Sequence, residues 1–169
     1  MYISTAVSLI FAFLAIDSRR ALRRLIRDAP DHAPVDVETG LLSRAAFEQR
    51  LVGEVKRAQR FDGTVLVSLW LVASGDAVSF GAGVAQQLRF PETGFRLHDR
   101  LFCVMASNLS ADDELGFAVR LGRCAGATDI VEHGSARYPA EGAELGALFD
   151  AAAAELEMTA GERIANLAA

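Results

Sequence analysis

Residues 64–72 read TVLVSLWLV, and this apolar run says more about the fold class than any other part of the chain. Many of its residues favour extended backbone. A nearly continuous apolar run of this length, without alternation between apolar and polar residues, is typical of a strand buried on both faces. Such a strand lies at the centre of a sheet with helices on both sides, so the run predicts an α/β protein.

Helices and further strands are predicted on both sides of this strand. Before it, Ser43 is a suitable N-cap for a helix over about 44–60 that places Phe47, Leu51 and Val55 on one face. After it we expect, in order, a short helix near 82–89, a hairpin of strands at about 93–98 and 101–107, a helix after Ser110, strands at about 127–132 and 135–138, and a final helix over about 141–158.

The last two helices have predicted buried faces. The helix after Ser110 carries Asp112, Asp113 and Glu114 in its first turn, where they complement the helix dipole rather than form a metal site. Its inner stripe is expected to be Leu115, Ala118, Val119 and Gly122, and the final helix is expected to bury Leu145, Leu148, Phe149, Ala152 and Leu156. The order of elements predicts one layer sandwich with a mostly antiparallel central sheet.

Composition argues against several classes of function. The net charge is −5, and the folded part has no basic stripe with interleaved aromatic residues, so we expect no nucleic-acid partner. Cys103 and Cys124 have no metal-ligand spacing and are expected to be small buried hydrophobes. The three histidines are isolated in sequence, so we predict no bound metal and no cofactor.

The N-terminal residues predict a membrane anchor. Residues 1–16, MYISTAVSLIFAFLAI, carry no charge, and a cluster of arginines follows: Arg19, Arg20, Arg23, Arg24 and Arg27. A helix of this length spans about 24 Å, slightly less than a bilayer core, and the arginines favour the cytoplasmic side. We therefore expect a short signal-anchor helix with a basic flank over 1–27, which would hold the protein at the cytoplasmic membrane with its domain in the cytoplasm.

Two alternatives stay open for this segment: an amphipathic helix of a cytoplasmic protein that packs on a partner or a second copy, or the end of a longer span. Residues 28–35, DAPDHAPV, are interpreted as a linker, so the folded domain is expected over 36–169.

Three landmarks resemble the bacterial GGDEF, or diguanylate cyclase, family. Residues 36–47 resemble its opening signature D-x-L-T-G-L-x-N-R-x-x-F, with departures at Glu38 and Ser43. Residues 134–139 resemble G-x-A-x-Y-P, and residues 96–102 stand where the family has R-L-G-G-D-E-F. The resemblance covers about 36–163 and implies a nucleotidyl-cyclase-like layer sandwich that dimerises through the helix preceding the domain.

The same resemblance implies that the catalytic signature is degenerate. The family joins two GTP molecules with the help of two divalent cations, held by one carboxylate after the central strand and another in the signature hairpin. Here Trp70–Ala73 offer no carboxylate. The five signature positions are His98, Asp99, Arg100, Leu101 and Phe102, so an arginine and a leucine replace both hairpin carboxylates. Asp76 and Asp99 are not placed to substitute, and Glu157 stands near the family's basic residue.

One ligand site is a further possibility. The family often carries an inhibitory product site, R-x-x-D, before the hairpin, and the matching residues here are Arg89 and Glu92. Arginine can bind guanine or phosphate through two hydrogen bonds, whereas an ordinary surface ion pair would show the same spacing. We therefore expect a non-enzymatic signalling or scaffolding domain that acts through protein contacts and is a homodimer; the alternative is a cyclic di-GMP receptor at Arg89 and Glu92.

Overall fold

The computed structural model describes residues 34–142 and 145–167, with side chains described for 34–142 and 146–160. The predicted apolar helix over 1–16, its arginines and most of the linker lie outside these residues. Within the described ranges, no helix combines the length and the apolar character needed to cross a bilayer.

The elements of the described chain alternate between helices and strands. The strands are β1 (Leu42–Ser43), β2 (Val65–Ser74), β3 (Thr93–His98), β4 (Leu101–Ser107) and β5 (Ile130–Tyr138). The helices are α1 (Arg44–Phe61), α2 (Ala77–Gln87), α3 (Ala111–Gly122) and α4 (Leu145–Leu167). The five strands form one mixed sheet in the order β1-β3-β4-β2-β5.

Strand β2 is central and long, as its apolar sequence predicts. It pairs antiparallel with β4 on one side and with β5 on the other, and β3 pairs antiparallel with β4. Only two residues of β1 pair with β3, and they do so in parallel. The sheet is therefore mostly antiparallel, and the short strand β1, which has no apolar run of its own, is absent from the sequence-based prediction.

Helices cover both faces of the sheet. Phe47 of α1 contacts Phe95 of β3 and Phe149 of α4, so α1 and α4 share one face. On the other face, Trp70 of β2 packs with Phe80 of α2 and with Phe117 and Leu121 of α3 in one buried cluster. Trp70 lies in the apolar run that predicts a strand buried on both faces, and it is 3% exposed.

Three local predictions are wrong. Helix α2 begins at Ala77 and not near residue 82, because the Asp76 side chain accepts a hydrogen bond from the Ser79 N–H and caps the helix there. Residues 130–138 form one strand rather than two. Gly134 is not a break between strands: it lies so close to α4 that a β-carbon there would come within 2.2 Å of the Leu156 nitrogen.

The third error concerns the buried face of α3. The structure buries Phe117 and Leu121 and packs Ala118 against the core as predicted, whereas Leu115 is 75% exposed and Val119 is 47% exposed. Both pairs have i, i+4 spacing, and the pair with the larger aromatic side chain fills the space over the sheet. In α4, Leu148, Ala152 and Leu156 are buried as predicted and Phe149 is half-buried; the side chain of Leu145 lies outside the described residues.

Candidate functional site

The predicted signature hairpin lies where β3 turns into β4. Strand β3 ends at His98 and β4 begins at Leu101, so Asp99 and Arg100 form the exposed turn. Antiparallel pairing of Leu71 with Leu101 places this turn beside the end of the central strand. The five signature positions therefore lie at one end of the sheet, next to the loop that follows β2.

Arg100 links the hairpin to that loop. Its Nε donates a hydrogen bond to the Val72 carbonyl oxygen at 2.6 Å, and a terminal nitrogen donates to the Gly75 carbonyl oxygen at 3.0 Å. In the opposite direction, the Val72 N–H donates to the Arg100 carbonyl oxygen at 3.0 Å. A fixed positive charge thus occupies the space between the end of β2 and the hairpin.

The neighbouring signature positions are apolar and packed. Leu101 is 2% exposed, and Phe102 is fully buried against Phe80 with ring centroids 5.5 Å apart. Neither side chain offers an oxygen to a cation. Within the described ranges, no group of three or more His, Cys, Asp or Glu side chains is placed to hold a metal ion.

A carboxylate from elsewhere closes the loop after β2. Asp129 accepts hydrogen bonds from the Asp76 N–H at 3.3 Å and from the Gly126 N–H at 2.7 Å. It packs directly on Gly75, whose φ of +100° and missing side chain permit the contact. Hydrogen bonds from Ser79 lower the pKa of Asp76, and Arg100 contributes by its charge. The role of Asp129 is not predictable from the sequence, because no local pattern connects it with residues 75–76.

Residues of the opening signature (36–47) contact Arg96, which lies in the strand that leads into the hairpin. Arg96 lies 3.1 Å from the Asp36 carboxylate and 2.6 Å from that of Glu38. Asp36 also accepts hydrogen bonds from the backbone N–H and the hydroxyl of Thr39. Burial raises the pKa of Asp36, but these hydrogen bonds and Arg96 outweigh it and lower the pKa below its usual value. Two of the three sequence landmarks are therefore physically joined.

The predicted ligand residues, Arg89 and Glu92, lie in the turn before β3. The Arg89 N–H donates to the Glu92 carboxylate at 2.8 Å, but the ion-pair partner of Glu92 is Arg120 of α3, which also donates to the Gln87 carbonyl oxygen. The Arg89 guanidinium is exposed and has no hydrogen-bond partner in the described part of the chain. Sequence analysis did not find Arg120, since a single arginine on a helix carries no signal by itself.

A cavity of about 560 Å³ adjoins this turn. It is lined by cationic and aromatic side chains together with two acidic ones: Arg89, Phe90, Glu92, Asp113, Phe117, Arg120 and Arg123. The Arg120 guanidinium stacks over the Phe117 ring at 5.6 Å. An anionic, planar molecule has the chemistry that such a lining recognises.

Comparison with solved structures identifies the fold, although no protein-family model and no curated protein sequence matches the chain. The GGDEF domain of YfiN (also called TpbB) from Pseudomonas aeruginosa superposes with a TM-score of 0.67 at 21% identity, covering 76% of this chain and 89% of that domain. The GGDEF domain of DgcB from Caulobacter crescentus, in complex with c-di-GMP, gives 0.63 at 16% identity, covering 80% and 93%.

A third structure is the diguanylate cyclase SiaD from Pseudomonas aeruginosa in complex with its activator SiaC. It gives a TM-score of 0.68 at 16% identity and covers 94% of this chain and 67% of that one. Identities this low establish the fold alone. Together with the mixed five-stranded sheet and its flanking helices, these similarities show that the chain carries a GGDEF-like α/β domain.

Proposed function

We propose that this chain is a non-catalytic GGDEF-like signalling or scaffolding domain that acts through protein contacts. The observation that carries the proposal is Arg100, whose guanidinium donates to the Val72 and Gly75 carbonyl oxygens in the space beside the hairpin. Its fixed positive charge repels the divalent cations that diguanylate cyclase chemistry requires, and buried Leu101 supplies no oxygen ligand. The residues present do not fit a pair of magnesium ions.

Asp129 supports the same proposal. It already accepts the Asp76 N–H, so a backbone donor at the start of α2 is occupied by a carboxylate of the chain itself. A polyphosphate would have to compete with this internal anion for that donor. Two charges of the protein therefore hold the loop after β2: Arg100 at the Val72 and Gly75 carbonyl oxygens and Asp129 at the Asp76 N–H.

A turnover assay tests the proposal. The full chain is incubated with GTP and either Mg²⁺ or Mn²⁺, and linear and cyclic guanosine dinucleotides are quantified by chromatography. We expect no product above the level of a heat-denatured sample. Product above that level from the full chain would refute the non-catalytic assignment.

We further propose that residues 1–16 tether the domain to the cytoplasmic membrane and that the protein is a homodimer. The support is the uncharged N-terminal run followed by arginines. Fractionation of cells that make the full chain or a chain lacking residues 1–16 tests the tether. We expect only the full chain in the membrane fraction; a full chain that stays wholly in the supernatant would exclude the anchor.

A second candidate function is binding of cyclic di-GMP at Arg89 and Glu92. The cavity of about 560 Å³ beside these residues, with Arg120 and Arg123 in its lining, favours this candidate. Isothermal titration calorimetry with cyclic di-GMP tests it, with Arg89→Ala as the variant and Arg50→Ala on the exposed surface of α1 as the control. Heat that is lost only in Arg89→Ala supports the receptor, whereas no heat at high micromolar ligand removes it.

A further inference from the structure

We infer that the outer edge of β5, the edge away from β2, binds an extended basic segment of a partner protein. The segment would lie as an added strand in a cavity of about 500 Å³, which we call the edge groove. The edge groove lies between residues 135–137 of β5, Glu114 of α3 and the residues of α4 from Ala151 to Met158. The inference rests on the proposed function, because it names the surface through which a domain that acts through protein contacts would bind a partner.

Strand β5 lies at one end of the sheet. In the order β1-β3-β4-β2-β5 it pairs with β2 alone, so its outer edge has no neighbouring strand within the described residues. It is nine residues long, whereas β1 at the opposite end of the sheet has two. A long edge strand presents a row of main-chain donors and acceptors with which a further strand can pair.

Side chains of the same domain occupy the outward N–H groups of β5. The Ser135 N–H donates to the Glu155 carboxylate at 2.5 Å, and the Arg137 N–H donates to the Glu141 carboxylate at 2.7 Å. Both glutamates are exposed residues. Their hydrogen bonds can therefore be exchanged for bonds to a carbonyl oxygen of another chain without opening the core of the domain.

The edge groove has an excess of negative charge. Among its described lining residues Arg137 is the only basic one, and it is paired with Glu114 at 2.7 Å. In the described part of the chain neither Glu141 nor Glu155 forms an ion pair. From residue 138 to residue 160 the sequence has five acidic residues and no lysine or arginine. Such a surface attracts a basic segment and repels nucleic acid and anionic lipid.

A basic strand would replace each contact that it breaks. A carbonyl oxygen of the segment would accept the Ser135 N–H, and the released Glu155 carboxylate would pair with an arginine or lysine of the segment. A neutral segment would leave that carboxylate without a counter-charge, and an acidic segment would bring a like charge beside it. The exchange therefore selects a basic partner.

The α4 side of the edge groove fits long basic side chains. Ala151, Ala154 and Met158 lie there beside Glu155, and Met158 is 64% exposed. The small side chains leave room for the methylene stem of an arginine, and its guanidinium reaches the carboxylate. On the α3 side the paired charges cancel, so neutral side chains fit. Successive side chains of a strand point to opposite faces, and we therefore infer a segment in which basic and neutral residues alternate.

Fluorescence anisotropy of labelled probe peptides tests the inference on the full chain. One probe alternates arginine and valine over about eight residues, the upper range of common strand lengths, and a second has glutamate in place of arginine. Two further probes carry N-methyl groups on either the arginine or the valine amides. We expect saturable binding of the arginine probe and none of the glutamate probe. Only one set of amides faces β5, so one of the two methylated probes should lose binding.

Charge reversal at Glu155 locates the site. Glu155→Lys should weaken binding of the arginine probe at least about tenfold. Glu48→Lys makes the same charge change on α1, where the side chain is 66% exposed, and should leave the affinity unchanged.

Three results would overturn the inference: no binding of the arginine probe, equal binding of both methylated probes, or equal affinities of Glu155→Lys and Glu48→Lys. The last two would mean that charge alone holds the peptide. A chain that makes no product from GTP and fails to bind the arginine probe keeps the proposed function and loses this surface. Product from GTP would refute the proposed function whichever probe binds.

Discussion

The Nε atom of Arg100 donates a hydrogen bond to the Val72 carbonyl oxygen at 2.6 Å, across 28 residues of sequence. This contact ties the β3–β4 hairpin to the end of the central strand and leaves a guanidinium at the position where the resemblance to diguanylate cyclases would place a carboxylate. The hairpin therefore carries a positive charge beside the end of the central strand, and the proposed absence of cyclase activity depends on this charge.

Replacing Arg100 tests the structural part of this relationship. Arg100→Ala removes two hydrogen bonds to main-chain carbonyl oxygens, so we expect the free energy of unfolding to fall by roughly 1 kcal/mol. Arg123→Ala is the control, because Arg123 is exposed on the same molecule and should change stability by less than about 0.5 kcal/mol. Urea unfolding followed by Trp70 fluorescence measures both; equal losses would mean that Arg100 does not brace the hairpin.

Arg96 should contribute more than an ordinary surface ion pair. Its side chain is 14% exposed and contacts Asp36 and Glu38. Arg96→Ala should therefore lower the free energy of unfolding by roughly 2 kcal/mol at pH 7. The pair Arg57–Glu54, in which the Arg57 side chain is 69% exposed, is the control, and Arg57→Ala should lower the free energy of unfolding by less than about 0.5 kcal/mol; urea unfolding measures both variants.

The pKa of Asp36 gives the same network a pH dependence. Because the folded-state pKa lies below the usual 3.8, the stabilisation from ionised Asp36 is complete above pH 3.8 and is lost as the pH falls through the folded value. The difference in the free energy of unfolding between the parent chain and Arg96→Ala, measured by urea unfolding at each pH, should therefore become smaller below pH 3.8. A constant difference from pH 7 to pH 3 would contradict the assignment.

His133 should make the domain less stable in mild acid. Burial lowers the pKa of His133, which stacks on Trp70 with ring centroids 4.4 Å apart, while Glu155 and Glu114 raise it by a smaller amount. The unfolded chain binds this proton more readily, so stability is complete above about pH 6.5 and falls as the pH decreases towards the folded pKa. Urea midpoints at pH 7.5 and pH 5.5 should show the loss in the parent chain and in His98→Asn, and a smaller loss in His133→Phe. An equal change of the urea midpoint with pH in all three proteins would exclude His133 as the cause of the acid destabilisation.

Alanine substitutions at Gly134 and Gly53 should change the stability of the domain in opposite directions. A β-carbon on Gly134 would lie 2.2 Å from the Leu156 nitrogen and 2.5 Å from the Ala152 oxygen, so Gly134→Ala should destabilise the domain by at least about 3 kcal/mol. Gly53 lies within α1 with open space where the β-carbon would go, and Gly53→Ala should stabilise it by up to about 1 kcal/mol. Thermal unfolding measures both, and a tolerated Gly134→Ala would disprove the close contact between β5 and α4.

The elements that could be predicted from the sequence are those that contain an apolar run or an apolar repeat. Residues 64–72 predict β2, and Phe47, Leu51 and Val55 predict the buried face of α1. Both can be predicted because the local order of apolar residues indicates which side chains are buried. Strand β1 has only two paired residues, which is too few for any periodicity. At Gly134 the requirement comes from a neighbouring helix, and only the three-dimensional structure distinguishes such a glycine from a strand break.

The candidate site was only partly predictable for a related reason. The positions of His98, Asp99 and Arg100 follow from the hairpin register, which is local. The partners of Arg100, and the contact between Asp129 and Asp76 across 53 residues, depend on how distant loops meet. Likewise, the spacing of Arg89 and Glu92 is compatible with a ligand site or with an ion pair between them, whereas the ion-pair partner of Glu92 is Arg120 on a later helix.

The most direct test of the account is whether the hairpin takes up a metal–nucleotide complex. Equilibrium dialysis of the full chain against Mn²⁺ and a radiolabelled, non-hydrolysable GTP analogue measures how much metal and nucleotide the protein retains, with Arg100→Asp as a comparison. We predict that the parent chain retains neither above the protein-free level at millimolar nucleotide. Saturable retention of nucleotide together with one or two Mn²⁺ ions per parent chain would contradict the claim that the charge of Arg100 keeps cations out of this site.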